Sequence, residues 1–197
     1  DMSGFYEKTV IDFADEAQPD GGLTETAPFV GIASDGLGGK SGPIEWGSAH
    51  PMLVDQLYQY YGNIDMVREQ YPVVKNWVDF MERNTKEGII NRTIGDHESI
   101  DKKLEGPSAT AFYYYNTLLL TKFAKLLHKQ DDHKKYDALK ETIKAAFIAN
   151  YVDAASGNID NRTAAAQATL HPWRAARSVG SASSACSRAA LGTANPC

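Results

Sequence analysis

Apolar side chains recur at helical spacing through most of the first 151 residues, and this pattern constrains the fold more than any other feature of the chain. Five stretches place apolar residues three and four positions apart, which puts them on one face of an α-helix. The predicted helices cover residues 3–17, 48–61, 65–84, 108–128 and 131–151, with Ser48, Asp65 and Ser108 as N-caps of the second, third and fourth. No segment longer than three residues alternates as a half-buried strand does. The sequence therefore predicts an all-α protein.

The connections between these predicted helices alternate in length. Long, glycine-containing connections cover residues 18–47 and 85–107, whereas the other connections are short polar turns. Short turns join antiparallel neighbours, so we expect stacked helical hairpins in either a solenoid or a closed α/α toroid. No fixed-period repeat is visible, which favours the toroid over a regular solenoid. The long connections should then lie at one end of the structure, where loops often build functional sites.

Charge and composition exclude several classes of partner and cofactor. The net charge of −5 leaves no basic stripe to neutralise phosphates, so no nucleic-acid partner is predicted. The longest apolar run, around residues 118–120, is far too short to cross a membrane. Cys186 and Cys197 are the two cysteines and cannot form a disulfide framework or a cysteine-rich zinc site. The histidines lack the spacing of metal ligands, so we expect no metal and no cofactor.

The C-terminal segment differs in composition from the rest of the chain. From Thr169 onward it is rich in Ala, Ser and Arg and contains no Asp or Glu. A reading-frame change and a flexible natural tail are both open explanations, and we divide the chain into a domain over 1–168 and a tail over 169–197. The first residues show no basic region followed by an apolar one, so no export signal is predicted. A periplasmic or extracellular location for a longer parent protein stays open.

A succession of short motifs runs through the first of these segments. They are Asp15–Gly22 (DEAQPDGG), Ala27–Pro28, Glu45–Ala49 (EWGSA), Leu57–Gly62 (LYQYYG), Tyr71–Asp79, Gly95–Asp96, Thr110–Tyr114 and Ala145–Phe147. Each is weakly specific alone, but their order and spacing resemble those of bacterial α-L-rhamnosidases (glycoside hydrolase family 78). The resemblance implies part of an (α/α)6 toroid of the six-hairpin glycosidase type. It also implies inverting hydrolysis of terminal α-L-rhamnosyl linkages, with L-rhamnose-containing glycans or glycosides as partners.

The same resemblance implies where the catalytic residues lie. The general acid of the family is a glutamate in an acidic, arginine-containing motif upstream of the helix that starts this chain. The general base is a second glutamate far downstream. Neither segment is present here, so the catalytic residues are expected outside this chain and the fragment itself is expected to be inactive. Helix faces that further helix pairs would cover predict self-association.

Side chains of the long connections supply the candidate sugar contacts. Trp46 offers a flat apolar face to a deoxysugar ring and its methyl group, and the neighbouring Glu45 carboxylate can accept hydroxyl protons. Trp46 also resembles a subsite tryptophan of the family. Asp96 and His97 lie where the family presents another aromatic residue to the sugar. The remaining candidates for substrate binding are Asp20 and Glu25.

Each of these candidates has a structural alternative. Trp46 would otherwise be an aromatic staple ahead of the following helix. Asp20 stands before two glycines and would shape a turn. Asp96 and His97 would form a helix-capping or surface pair. Until the side chains are placed in space, the sequence supports both interpretations.

Three departures from the family pattern concern the sugar contacts. Ser48 stands where the family often has an acidic residue, His97 stands where it often has tryptophan, and the glycine-rich insert Ser34–Gly42 is longer than in many members. Two other functions also stay open. One is an (α/α)6 glycosidase for a different sugar, such as a glucosidase or trehalase relative. The other is a non-catalytic helical carbohydrate-binding or scaffold protein.

Overall fold

The computed structural model describes residues 1–33, 35–95, 105–153 and 159, and these residues form a helical protein. In chain order the helices are α1 (Ser3–Asp15), α2 (Ile44–Gly47), α3 (Ala49–Tyr61), α4 (Ile64–Arg83), α5 (Glu105–Leu126) and α6 (Gln130–Tyr151). Extended pairing within the described ranges is limited to two isolated bridges, Lys86 with Ile89 and Val152 with Ile159. The predicted all-α fold of paired helices is confirmed.

The turn between α3 and α4 shows how a short connection reverses the chain. α3 ends at Gly62, whose φ of +68° is left-handed and free of the Cβ clash that other residues would meet. α4 begins after Asn63, whose side chain accepts a hydrogen bond from the Met66 amide at 2.9 Å. The prediction that Asp65 caps this helix is wrong. Asp65 lies in the first turn, where a negative charge still interacts favourably with the helix dipole.

Neither of the two serines predicted as N-caps makes a capping hydrogen bond in the structure. Ser48 precedes α3, but no side-chain hydrogen bond caps that helix, and the Ser48 hydroxyl instead donates to the Ile44 carbonyl at 2.6 Å. Ser108 lies inside α5, which begins at Glu105. Ser48 therefore occupies the predicted N-cap position without a capping hydrogen bond, and the Ser108 prediction is wrong. The single turn α2 also escaped prediction, because four residues are too few to display a helical period.

One hydrophobic core connects the helices. Trp77 of α4 is completely buried and stacks on Phe80, with ring centroids 5.7 Å apart. α5 packs against α6, α4 and α3, and α1 packs against α3. Each large side chain buried in such a core contributes about 1.5–3 kcal/mol. The core therefore fixes the helix ends, and with them the long connections that carry the candidate site.

The antiparallel order of α3 to α6 separates the two kinds of connection. The short turns after α3 and after α5 lie at one end of the helices. The connection between α1 and α3, and the described part of the one that follows α4, lie at the opposite end. The first of these connections packs onto α4, since a Cβ on Gly21 would lie 2.5 Å from the Asn76 carbonyl oxygen. The candidate site is built at this second end.

Candidate functional site

Glu45 and Trp46 lie in α2, the single turn that joins the first long connection to α3. Ile44 and Gly47 are the buried residues of this turn. Gly47 is required by close packing, because a Cβ at this position would lie 2.8 Å from Cζ2 of the buried Trp77 ring. The turn therefore rests directly on the core, which holds Glu45 and Trp46 at the surface above it.

The Glu45 carboxylate is held by two hydroxyl groups from other parts of the chain. Ser108 of α5 donates its hydroxyl hydrogen to Oε1 at 2.7 Å, and Thr93 of the second long connection donates to Oε2. The two donors are almost completely buried, with exposed fractions of 6% for Ser108 and 1% for Thr93. Each carboxylate oxygen can accept more than one hydrogen bond. The orientation of Glu45 is therefore fixed, and its carboxylate can still accept hydrogen bonds from a ligand.

The connection that carries Thr93 is itself anchored on α5. The Thr110 hydroxyl accepts a hydrogen bond from the Ile90 amide at 3.2 Å and donates to the Ile90 carbonyl at 3.3 Å. The Thr93 amide donates to the Glu105 carboxylate at 3.3 Å. Since these bonds join main-chain groups of the connection to side chains of one helix, the position of Thr93 is set independently of Glu45.

Trp46 is exposed beside this ordered carboxylate. Its side chain is 44% exposed, whereas Trp77 is fully buried in the core. An aromatic staple packed against the following helix would be more thoroughly covered. An exposed indole can pack against a ligand that has an apolar face. The role of Trp46 as a ligand contact therefore stays a prediction.

Ser48, which stands where related sequences often have an acidic residue, lies beneath the site. It is completely buried, and its hydroxyl accepts a hydrogen bond from Asn116 Nδ2 at 2.7 Å while donating to Ile44. This pair ties the junction of α2 and α3 to α5. Ser48 therefore supports the α2 turn from inside the protein and does not line an exposed surface.

The other predicted contacts have different surroundings. Asp20 Oδ1 accepts the Gly22 amide at 3.0 Å, and the Asp20 carbonyl accepts a hydrogen bond from Arg83. This is the turn geometry that the sequence offered as the alternative. Glu25 is half-buried against Gly42, where a Cβ would lie 2.6 Å from the Glu25 Cα. The last two candidates, Asp96 and His97, lie outside the described residues.

Sequence reasoning missed the part that Thr93 and Ser108 play at this site. Thr93 carried no motif, and Ser108 was assigned as a helix cap. Their hydrogen bonds to Glu45 span 48 and 63 residues of the chain. Local patterns do not contain such distant pairings. The available signal was that Thr93 lies within the second long connection and Ser108 directly follows it.

The described histidines give no sign of a metal centre. No group of three or more His, Cys, Asp or Glu side chains in the described ranges is arranged to hold a metal ion. His50 is completely buried, with Nε2 3.0 Å from Gln70 Oε1. Burial lowers the pKa of His50 to about 4, against an opposing effect of the Gln70 hydrogen bond.

None of the helices that the structure describes has the length and apolar character to cross a membrane.

Comparison with known sequences identifies relatives over most of the chain. Residues 1–171 match the family model described as the bacterial alpha-L-rhamnosidase 6 hairpin glycosidase domain. An alpha-L-rhamnosidase of Streptomyces avermitilis is 29% identical over 165 residues, covering 82% of this chain and 15% of that protein. An alpha-L-rhamnosidase of Alteromonas sp. (strain LOR) is 27% identical over 165 residues, covering 78% of this chain and 17% of that protein. The chain thus spans only a small part of the length of these relatives.

Solved structures show the same relationship. The S. avermitilis alpha-L-rhamnosidase complexed with L-rhamnose has a TM-score of 0.74 and 27% identity, covering 86% of this chain and 16% of that one. The alpha-L-rhamnosidase from Dictyoglumus thermophilum has a TM-score of 0.68 and 27% identity, covering 78% and 17%. The Aspergillus terreus enzyme, at 19% identity and a TM-score of 0.67, covers 86% and 20% and shows the shared fold. Because the family model matches most of its residues, this chain belongs to the bacterial α-L-rhamnosidase six-hairpin glycosidase domain family.

Proposed function

We propose that this chain forms part of the sugar-binding wall of an α-L-rhamnosidase-type glycoside hydrolase that acts on terminal α-L-rhamnosyl linkages of glycans or glycosides. The observations that support this most are the Glu45 carboxylate held by two hydroxyl groups and the exposed indole of Trp46, the next residue along the α2 turn. The indole packs against the apolar face and methyl group of a deoxysugar. The carboxylate accepts hydrogen bonds from the ring hydroxyls.

In this proposal the chain binds and orients the sugar, while the bond is broken by groups outside it. Inverting hydrolysis needs one carboxylic acid to protonate the leaving oxygen and one carboxylate to activate water, ~6.5–9.5 Å apart. Both carboxylate oxygens of Glu45 are held by hydroxyl groups of this chain, an arrangement that suits a fixed binding group. We therefore assign Glu45 to binding and place the general acid and base in segments outside this chain. The chain alone should have no turnover.

Calorimetric titration of the purified chain with L-rhamnose and D-glucose tests this proposal. We expect saturable binding of L-rhamnose and roughly tenfold weaker binding of D-glucose, since D-glucose has a hydroxymethyl group in place of the methyl group and a different arrangement of its ring hydroxyls. Trp46→Ala should weaken rhamnose binding about tenfold or more, as loss of a central aromatic contact does. Tyr60→Ala is the matched control, because Tyr60 is an exposed aromatic residue at the opposite end of α3.

Three results would contradict parts of the proposal. Equal affinity for both sugars would point to another glycosidase of this fold. An unchanged affinity in the Trp46→Ala variant would remove Trp46 from the site. Release of nitrophenol from an aryl α-L-rhamnoside by the chain alone would contradict the assignment of the catalytic carboxylates to other segments.

A further inference from the structure

The structure assigns Thr93 and Ser108 a role in the site itself: we propose that they are positioning residues, which orient the Glu45 carboxylate for a vicinal pair of sugar hydroxyls. This inference rests on the proposed function. The sequence alone had suggested no role in sugar binding for Thr93 or Ser108. The two hydroxyls contact different oxygens of the same carboxylate, Ser108 on Oε1 at 2.7 Å and Thr93 on Oε2. Two donors on two oxygens fix the plane of the carboxylate, which one donor would leave free to rotate.

Burial of the two donors makes this orientation strongly preferred. Thr93 is 1% exposed and Ser108 is 6% exposed. Bulk water therefore cannot readily replace the Glu45 carboxylate as the hydrogen-bond partner of either hydroxyl. A buried donor that loses its partner pays the desolvation penalty of an unmade hydrogen bond. Rotation of Glu45 out of its position would leave two such donors unsatisfied. The carboxylate is therefore oriented before a ligand arrives, which lowers the entropy lost on binding.

The hydrogen bonds to Glu45 are not needed to hold the backbone in place. The connection that carries Thr93 is tied to α5 through the Thr93 amide on Glu105 and through Ile90 on Thr110. Ser108 lies within the helical backbone of α5. Both main-chain positions are thus secured by other bonds. What the hydroxyls add is the direction of the Glu45 side chain.

A carboxylate held in this way selects the kind of ligand group that it binds. With one lone pair of each oxygen occupied, the outward lone pairs can accept one hydroxyl proton each. Adjacent hydroxyls of a pyranose ring can supply such a pair. Glu45 and Glu105 both carry negative charge near Thr93, which disfavours a ligand carboxylate here. The expected ligand is therefore a neutral sugar with a vicinal diol, and not a uronic acid.

The test is a double-mutant cycle on rhamnose binding by the full chain, followed by NMR titration. Thr93→Val and Ser108→Ala should each weaken rhamnose binding roughly tenfold, the effect of losing one hydrogen bond to a charged group. Thr93→Ser keeps the hydroxyl and should bind within about twofold of the wild type. In a Glu45→Ala background, Thr93→Val and Ser108→Ala should cause no further weakening, since the group that they orient is gone. Thr121→Val is the matched control, because its buried hydroxyl donates to the Thr117 carbonyl of the same helix.

The outcomes separate this inference from the proposed function. If Thr93→Val and Ser108→Ala both bind rhamnose as tightly as the wild type, the positioning role is overturned and the proposed function stands. Equal weakening with and without Glu45 would mean that the hydroxyls only support the fold, and would also overturn it. No rhamnose binding by the wild-type chain would overturn both. If Thr93→Val unfolds, the Ser108→Ala arm of the cycle gives the same decision independently.

Discussion

At the residue scale, His50 should make the stability of this domain depend on pH. The ring is completely buried, and burial lowers the pKa of His50 to about 4. In the unfolded chain a histidine has a pKa of about 6.5. Between these values the unfolded chain binds a proton that the folded chain does not, so stability is fully present above about pH 6.5 and falls as the pH decreases toward 4. One pKa unit corresponds to ~1.4 kcal/mol, which gives a loss of about 2 kcal/mol between pH 7 and pH 5.

Urea unfolding at pH 7 and pH 5 measures this loss directly. His50→Gln is the control variant, because it removes the titrating ring and keeps an amide that can bond to Gln70. The wild type should lose about 2 kcal/mol of unfolding free energy at the lower pH, and the variant clearly less. If both lose the same amount, another group is responsible for the pH dependence.

Single residues also show where sequence reasoning stops. Glu45 and Trp46 are predicted sugar contacts because they are adjacent in a motif and their chemistry suits a sugar. The hydroxyl donors of Glu45 were not predictable, since they lie 48 and 63 residues away along the chain. Ser48 was correctly placed at the start of α3, but its hydrogen bond with Asn116 depends on how α5 packs and could not be predicted.

At the scale of single elements, the α2 turn depends on a glycine. Gly47→Ala would place a methyl group 2.8 Å from the Trp77 ring, which is held rigidly in the core. Overpacking of this kind costs about 1–3 kcal/mol. Thermal unfolding should show that loss, and rhamnose binding should weaken because the turn that carries Glu45 and Trp46 is lifted from the core.

Gly4→Ala provides the matched control for this prediction. Gly4 lies in α1, and a Cβ there would meet no other atom within 4 Å. Alanine is the better helix former, so this variant should be neutral or up to ~1 kcal/mol more stable. A Gly47→Ala variant as stable as the wild type would mean that the α2 turn moves without cost, and would contradict the rigid support proposed for the site.

The same scale explains why most helices could be predicted and one could not. α4 keeps apolar residues such as Val67, Val74 and Trp77 on one buried face over its whole length, so its period is visible in the sequence. α2 has only four residues and shows no period. Caps were harder to predict, because Asn63 and Asp65 are both good capping residues two positions apart. Only the backbone decides which of them meets the free amide.

At the scale of the whole molecule, the alternation of long and short connections predicted antiparallel hairpins and a loop-bearing end. It did not decide between a solenoid and a toroid. That choice came from the resemblance of the motifs, which the family match and the solved rhamnosidase structures confirm. The physical reason is that helix pairing is set by local turns, whereas curvature is set by the packing angles between successive pairs.

The isolated chain should self-associate through a patch formed by the outer face of α1 and the end of α3. Phe5 and Tyr60 are 63% and 78% exposed, and Tyr6 and Tyr60 line one surface groove. Contiguous exposed apolar surface of this kind favours association. In sedimentation velocity, the average mass should rise with concentration, and Phe5→Gln combined with Tyr60→Gln should suppress the rise. Ile148→Gln, which removes an exposed apolar residue of α6, should not. A wild-type chain that stays monomeric at every concentration would contradict this, because the patch would then be stable in water without a partner.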